Sequence, residues 1–275
     1  MKILNNVSVT DQQFAFLADL IRRSTGIVIT DAKRGLLTAR LNRRLRHLGF
    51  SSYDEYCLFL RSPDGVAEHQ EIISSITTNV TAFFRESHHF DALRLRVLPP
   101  LLNAAKRGER IRIWSCACST GEEVYSIALT VLSLERSAEK LDVLVLGTDI
   151  DPLVVEKAET GIYDASVEKQ IPDEHLIHFD QTSDGRVVVK DYVKKIIRFA
   201  PLNLHEAWPF SGRFDVIFCR NVVIYFDTGD RRRLWTRLGD QLKSGGSLFI
   251  GHSERLDGEA SSVFKLAGNT QYVKV

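Results

Sequence analysis

Three short stretches hold the residues whose types and spacing could do chemistry. The first runs from Trp114 to Ala128, where a single glycine, Gly121, is followed by two carboxylates, Glu122 and Glu123. A turn after a strand that opens a helix is where backbone N–H groups meet a nucleotide-like ligand. The glycine-rich dinucleotide fingerprint is absent, and two acids at a helix start repel phosphate. They suit a ligand carrying an ammonium group and a sulfonium charge, or alternatively serve only the helix dipole. The second stretch is Gly147–Asp151, in which Asp149 closes an apolar strand where an acid would accept hydrogen bonds from ribose hydroxyls, or play a structural part. Asp151 precedes Pro152 and reads as the N-cap of the next helix. In the third stretch, Arg220 and Asn221 leave the apolar run Phe214–Cys219, either at the ligand-binding edge of a sheet or in a plain surface turn.

The elements that must position these groups fall into two regimes. Residues 11 to about 76 read as helices: Phe14, Leu17, Ala18 and Ile21 recur at helical spacing, as do Leu37, Leu41, Leu45 and Leu48. Gly26 and Gly49 stand at C-cap positions, and Ser51–Glu55 offers an N-cap with an acidic first turn. From about residue 110, strands alternate with helices: strands at 111–114, 141–147, 196–199, 214–219 and 247–251, and helices at 121–134, 152–159 and 228–242. Alternation of this kind implies right-handed crossovers and a parallel sheet. Residues 263–266 and 271–275 read as an antiparallel hairpin around Gly268-Asn269, and residues 161–195 as a small β insertion with a turn at Asp184-Gly185. The expected fold is therefore α/β, a Rossmann-like sheet with a small β insertion, preceded by a small all-helical domain.

Composition narrows the function further. With 36 basic and 35 acidic residues the net charge is +1, which excludes a protein built around nucleic-acid phosphates. No run approaches a membrane span, and Met1 to Phe14 lack the pattern of a secretory signal, so a cytoplasmic protein without membrane insertion is expected. Cys57, Cys116, Cys118 and Cys219 fit reduced thiols, and the Cys116-x-Cys118 pair lacks partners at zinc spacing; no metal is expected. His88 and His89, about 100° apart on a helix, are assigned to packing or capping.

Five segments together resemble the CheR family of chemotaxis-receptor glutamate O-methyltransferases. They are Thr77–Phe90, Ser119–Ser126, Thr148–Asp151, Phe199–Leu204 and Cys219–Asp227, in order and spread over most of the chain. Val124 stands where that family often has proline, and Cys116 and Cys118 where small residues are common. The resemblance implies a class I methyltransferase sheet and three parts: helical residues 1–76 docking the receptor, a linker at 77–92, and a catalytic domain at 93–275 with its β subdomain at about 162–195. It implies S-adenosylmethionine as methyl donor and S-adenosylhomocysteine as product.

The implied cofactor residues are Asn79, Thr81 and Arg85 from the linker, with Arg85 toward the cofactor carboxylate. Glu122 faces the amino end, Asp149 the ribose, Asn203 and Leu204 the adenine, and Arg220 and Asn221 the methionine moiety. Arg220 and Tyr225, the latter one helical turn further on, are the candidates for orienting the substrate carboxylate. The implied partner is the cytoplasmic helical domain of chemoreceptors, met by a monomer. Arg40, Arg43 and His47 share one flank of the 37–48 helix, with Arg46 beyond, and are the candidate docking surface. Some family members hold a receptor-tail peptide on a glycine-bracketed loop of the β subdomain. Gln181–Arg186 carries one glycine, so no such tether is expected. The rival readings are a methyltransferase of the same class acting on a small molecule or another protein, and a cofactor-binding module without turnover.

Overall fold

The computed structural model describes residues 8–77 and 79–275. The expectation drawn from the first residues, and Thr78 of the linker motif, lie outside them. The chain divides into two compact units, one comprising residues 1–78 with Tyr225–Asp230, the other Asn79–Ile224 with Arg231–Val275.

The smaller unit is built from α1 (Asp11–Thr25), α2 (Arg34–Leu48), α3 (Tyr53–Arg61) and α4 (Val66–Ile76). Local chemistry sets the ends. Thr10 and Gln13 form a reciprocal capping box on α1, Ser52 caps α3, and Gly26 and Gly49 close α1 and α2 in the left-handed region. Leu17, Ile21, Leu37, Leu41, Leu45 and Tyr56 are almost wholly buried against one another. Leu48 departs from the expected stripe: it is 38% exposed, because it is the last residue of α2 and the partner helices do not reach it. A buried carboxylate, Glu68, is satisfied by Arg44 at 2.5 Å and by the Tyr56 hydroxyl at 2.8 Å. Within the same unit, Arg22 pairs with Asp227 at 2.7 Å and Val28 N–H donates to the Tyr225 carbonyl.

The larger unit follows with α5 (His88–Ala92), α6 (Leu98–Lys106), β1 (Ile111–Cys116), α7 (Glu122–Leu134), β2 (Val143–Asp149) and α8 (Pro152–Thr160). A small insertion then contains β3 (Ile162–Asp164), α9 (Asp173–Leu176), β4 (Phe179–Gln181), β5 (Arg186–Val189) and α10 (Asp191–Lys194). The chain returns through β6 (Ile197–Pro201), β7 (Phe214–Cys219), α11 (Thr228–Gln241), β8 (Leu242–Ile250), α12 (Ala260–Val263), β9 (Phe264–Gly268) and β10 (Gln271–Lys274). The main sheet has the order β6-β2-β1-β7-β8-β10-β9. Pairing is parallel from β6 to β8, and β10 is antiparallel to both β8 and β9. Renumbered along the chain within this sheet, the order is 3-2-1-4-5-7-6, with a reversed strand slotted in next to the fifth. β3, β5 and β4 form the separate antiparallel sheet expected of the insertion.

β1 and β7 are covered on both faces, which is why their sequences run apolar without alternation. β8 begins earlier than the sequence pattern indicates. It starts at Leu242 and carries Gly245-Gly246 inside it, where a register shift opposite Phe214–Val216 absorbs the extra residues.

Candidate active site

Strand order reverses between β1 and β7, and the segments leaving their carboxyl ends, Ala117–Gly121 and Arg220–Asn221, flank the crevice where open α/β sheets bind ligands. The backbone there is strained. Of six non-glycine residues with positive φ among the described residues, five lie in these segments or in the one following Asn79: Phe84, Glu86, Ala117, Ser119 and Asn221. Conformations of this kind persist where surrounding contacts over-determine them, and they cluster at functional sites. Gly121, at φ +94°, is required twice over, since a Cβ would sit 2.8 Å from that of Ala158.

The segment 79–87 is stitched onto this edge. Asn79 donates to Asp151 at 3.2 Å, and its carbonyl accepts from the Ser119 hydroxyl at 2.9 Å. Phe83 is buried against Tyr163 and Phe179, and Phe84 stacks on His175 with ring centroids 5.0 Å apart. Asp149, at the end of β2, accepts from the backbone N–H of Ser119 at 2.8 Å and of Asp151 at 3.0 Å. Burial pushes its carboxyl up from the usual range, and those two donors only partly oppose the shift. Asp151 caps α8 through Leu153 N–H, as its place before proline indicates. Glu122 is buried and also raised by desolvation, with the Thr120 hydroxyl donating to it at 2.6 Å.

Several expected ligands have protein partners that the sequence did not reveal. Arg220 is almost wholly enclosed. Its guanidinium lies 2.7 Å from Glu123 and 3.3 Å from Glu86, and donates to the carbonyl of Arg85 at 2.5 Å. Ser115 holds the other oxygen of Glu123 at 2.8 Å. A guanidinium so engaged braces the site, and its free orientation of a substrate carboxylate, expected from the sequence, meets this constraint. Arg85 reaches back to the carbonyl of Val80 at 3.1 Å. Asn203 closes an Asx turn onto His205 N–H and donates to Glu206, and Leu204 is buried with its carbonyl held by Arg237. Asn221 N–H donates to Glu254, a buried carboxylate that also accepts from Gly251 at 2.6 Å.

Thr81 is half-buried in the stitched segment. Tyr225 closes a 3₁₀ turn, Val223–Tyr225, rather than a turn of α-helix. It belongs to the helical unit, where Lys33 lies 5.2 Å from its ring centre.

Glu86 and Glu254 were missed, and Glu123, expected beside Glu122 at the ligand, is instead engaged by Arg220 and Ser115. Adjacent helix residues diverge by about 100°, so Glu122 and Glu123 could not both face one ligand. Sequence did not say which partner each would find. The docking candidates also separate. Arg43, Arg46 and His47 are exposed, whereas Arg40 is half-buried and donates to the carbonyls of Ile76 and Thr77, closing the end of α4. The His88 and His89 rings, expected to diverge, have centroids only 4.2 Å apart, because side-chain torsions fold them together at the start of a short helix.

A sheet of this order, with a desolvated acid after β1, another at the end of β2 and no glycine-rich phosphate cradle, is that of a class I S-adenosylmethionine-dependent methyltransferase. Comparison with known proteins makes it specific. The family model CheR methyltransferase, SAM binding domain, matches residues 79–273, and CheR methyltransferase, all-alpha domain, matches residues 12–77. A probable chemotaxis protein methyltransferase of Rhizobium etli is 48% identical over 257 residues, 92% of this chain and 96% of that one. The chemotaxis protein methyltransferase of Escherichia coli is 38% identical over 279 residues, 99% of this chain and 94% of its own. That of Borreliella burgdorferi is 38% identical over 258 residues, 92% and 91% of the two chains. The chain belongs to the CheR family.

Proposed function

We infer that this chain methylates glutamate side chains of chemoreceptors with S-adenosylmethionine, giving glutamate methyl esters and S-adenosylhomocysteine. The observation that carries the reading is the joining of Asn79, Ser119, Asp149 and Asp151 at the carboxyl ends of β1 and β2, in a chain of this family. The donor set fits the cofactor. Desolvated Glu122 suits an ammonium group, Asp149 suits hydroxyl donors, and the turn lacks what a pyrophosphate requires. Asn79, Thr81, Arg85, Asn203, Leu204, Arg220 and Asn221 complete the proposed cofactor set.

The chemistry is an in-line displacement at a sulfonium methyl. A glutamate side chain has a reference pKa of about 4.3 and is already a carboxylate at neutral pH, so no general base is needed. The protein's task is alignment and exclusion of water, and positioning can supply up to ~7–11 kcal/mol in ideal systems. Arg220 acts by fixing the Arg85 carbonyl, Glu86 and Glu123. Tyr225 is left as the candidate for orienting the attacking oxygen. The helical unit meets the receptor's helical cytoplasmic region through Arg43, Arg46 and His47, with electrostatic attraction to an acidic helix raising the encounter rate. The protein acts as a monomer, and neither nucleic acid nor a bound metal takes part in methyl transfer.

The deciding experiment incubates the protein with radiolabelled cofactor and receptor cytoplasmic fragments, then assays base-labile methyl esters. Label on a small molecule, or binding without transfer, would displace the proposal.

A further inference from the structure

Between the carboxyl end of α7 and the β insertion lies a cavity of about 510 Å³, within the ordinary ~300–1,000 Å³ of small-ligand sites. Its wall takes Arg94 from a single π-helical turn, Leu93–Val97, and Arg136 from just beyond α7. Such turns are rare and recur at functional sites. His175 of α9, His178 after it and Tyr192 of α10 complete the polar wall, to which the β4–β5 turn contributes nothing. Among the described residues Arg136 has no hydrogen bond or ion pair, and Arg94 has one ion pair, with Asp91 at 4.0 Å. Glu174 is the one acid among the lining residues, and it is exposed. Burial lowers both imidazole pKa values, His178 to about 4, so neither ring adds charge at neutral pH. Two guanidiniums against one carboxylate leave the wall positive. Arg136 also outweighs the partial negative charge of about half a unit at the end of α7. The His178 ring meets the Tyr192 hydroxyl at 2.5 Å, whereas Nδ1 of buried His175 has no hydrogen-bond partner. Leu134 and Ile177 line the same cavity and stand 41% and 61% exposed.

We propose that this cavity binds a small organic anion, an oxyanion head (carboxylate or phosphate) on an apolar or aromatic body, as a regulatory ligand. Guanidinium forks match the oxygens of carboxylate and phosphate, and two of them converge on one cavity here. Binding breaks little, since Arg136 has no partner to give up and an exposed pair as long as Arg94–Asp91 holds weakly. Leu134, Ile177 and the imidazole faces cover the body, the usual division between apolar walls and a few charged groups that fix orientation. The wall is joined to the methyl-transfer edge. His175 stacks on Phe84 with ring planes 13° apart, and Phe84 holds a φ of +51° while donating its N–H to Ser126 of α7 at 2.9 Å. A ligand against His175 steadies the ring on which this strained residue rests, so occupancy of the cavity and of the cofactor site are coupled. Linkage makes the effect reciprocal, each ligand changing the other's affinity by the same factor. The coupling rests on the reading of Asn79, Thr81 and Arg85 as cofactor residues; the binding of an anion does not.

The test uses the full chain and two probes, phenyl phosphate and phenylacetate, titrated by calorimetry with and without saturating S-adenosylhomocysteine. One equivalent of at least one probe is expected to bind at millimolar concentration or below, and the tighter of the two identifies the head group. Benzyl alcohol, which keeps the ring without the charge, should not bind. Arg94→Gln and Arg136→Gln should each weaken binding by about 10-fold or more. Both side chains are exposed, so the melting temperature should not move. Saturation with S-adenosylhomocysteine should shift the probe's dissociation constant by about 5-fold or more. Failure to take up either probe, benzyl alcohol binding as tightly, or undiminished binding in both arginine variants would overturn the proposal. A dissociation constant indifferent to S-adenosylhomocysteine would overturn the regulatory role, whereas a chain that binds no S-adenosylhomocysteine would overturn the cofactor reading instead.

Discussion

Replacing Arg220 with methionine tests whether the buried network, rather than a free guanidinium, is what this residue contributes. Arg220 lies 2.7 Å from Glu123 and 3.3 Å from Glu86, with 2% of its side chain exposed. At an effective dielectric of ~20, unit charges ~4 Å apart attract by ~4 kcal/mol, and removing one partner of a buried pair typically costs about 3–5 kcal/mol. A fall in melting temperature on the order of 10 °C is therefore expected by calorimetry. The pH dependence gives a second reading. Burial raises the Glu86 pKa, but the Arg220 charge and the hydrogen bonds from His252 and Arg220 together hold it below the usual value. A carboxyl depressed in the folded state contributes stability above its unfolded pKa of about 4.3, and that stability is lost as pH falls through the folded value. Without Arg220 the sign reverses for Glu86, and acidification to about pH 5 should partly restore the variant. Adding Glu86→Gln and Glu123→Gln should recover more than half the loss, because no uncompensated charge remains buried. A single variant within 1 kcal/mol of the parent, or a triple variant no better than the single, would refute the reasoning.

Four other outcomes follow from the geometry. Asp149→Ala should weaken S-adenosylmethionine binding by ~1.5–3 kcal/mol in calorimetry, since it removes charge-assisted hydrogen bonds and frees the Ser119 turn; unchanged affinity would remove Asp149 from the site. Arg43→Ala with Arg46→Ala should slow receptor methylation and flatten its salt dependence with cofactor affinity intact, and full activity at low salt would exclude the docking role. Arg40→Ala should instead lower the melting temperature, as it uncaps α4 at Ile76 and Thr77. A receptor-tail peptide titrated into the protein should give no heat, because the β4–β5 turn closes tightly at Thr182–Gly185 with Thr182 N–H donating to the Arg186 carbonyl at 2.9 Å; micromolar binding there would reverse that expectation.

The sequence by itself determined the elements, because their signals are local. Cap residues placed the ends of α1 and α2 at Gly26 and Gly49, period and caps placed α7 and α8 to within a residue, and Asp151 before Pro152 named its own cap. Apolar runs without alternation announced buried parallel strands, and a turn with one glycine and two acids already spoke against phosphate. The β8 start and the exposure of Leu48 were not legible, since a bulge depends on the facing strand and burial at a helix end depends on which neighbour reaches it. Partner choice was invisible for the same reason. Arg220 meets Glu123 and the Arg85 carbonyl across sequence separations of 97 and 135 residues, and only the placing of β1 beside β7 brings them together. The buried His89 ring likewise finds the Asn269 carbonyl and the Thr270 hydroxyl only because the β9–β10 hairpin, some 180 residues further on, packs against it. A spacing rule describes one strand of chain at a time, whereas the state of a buried charge is set by every segment packed around it.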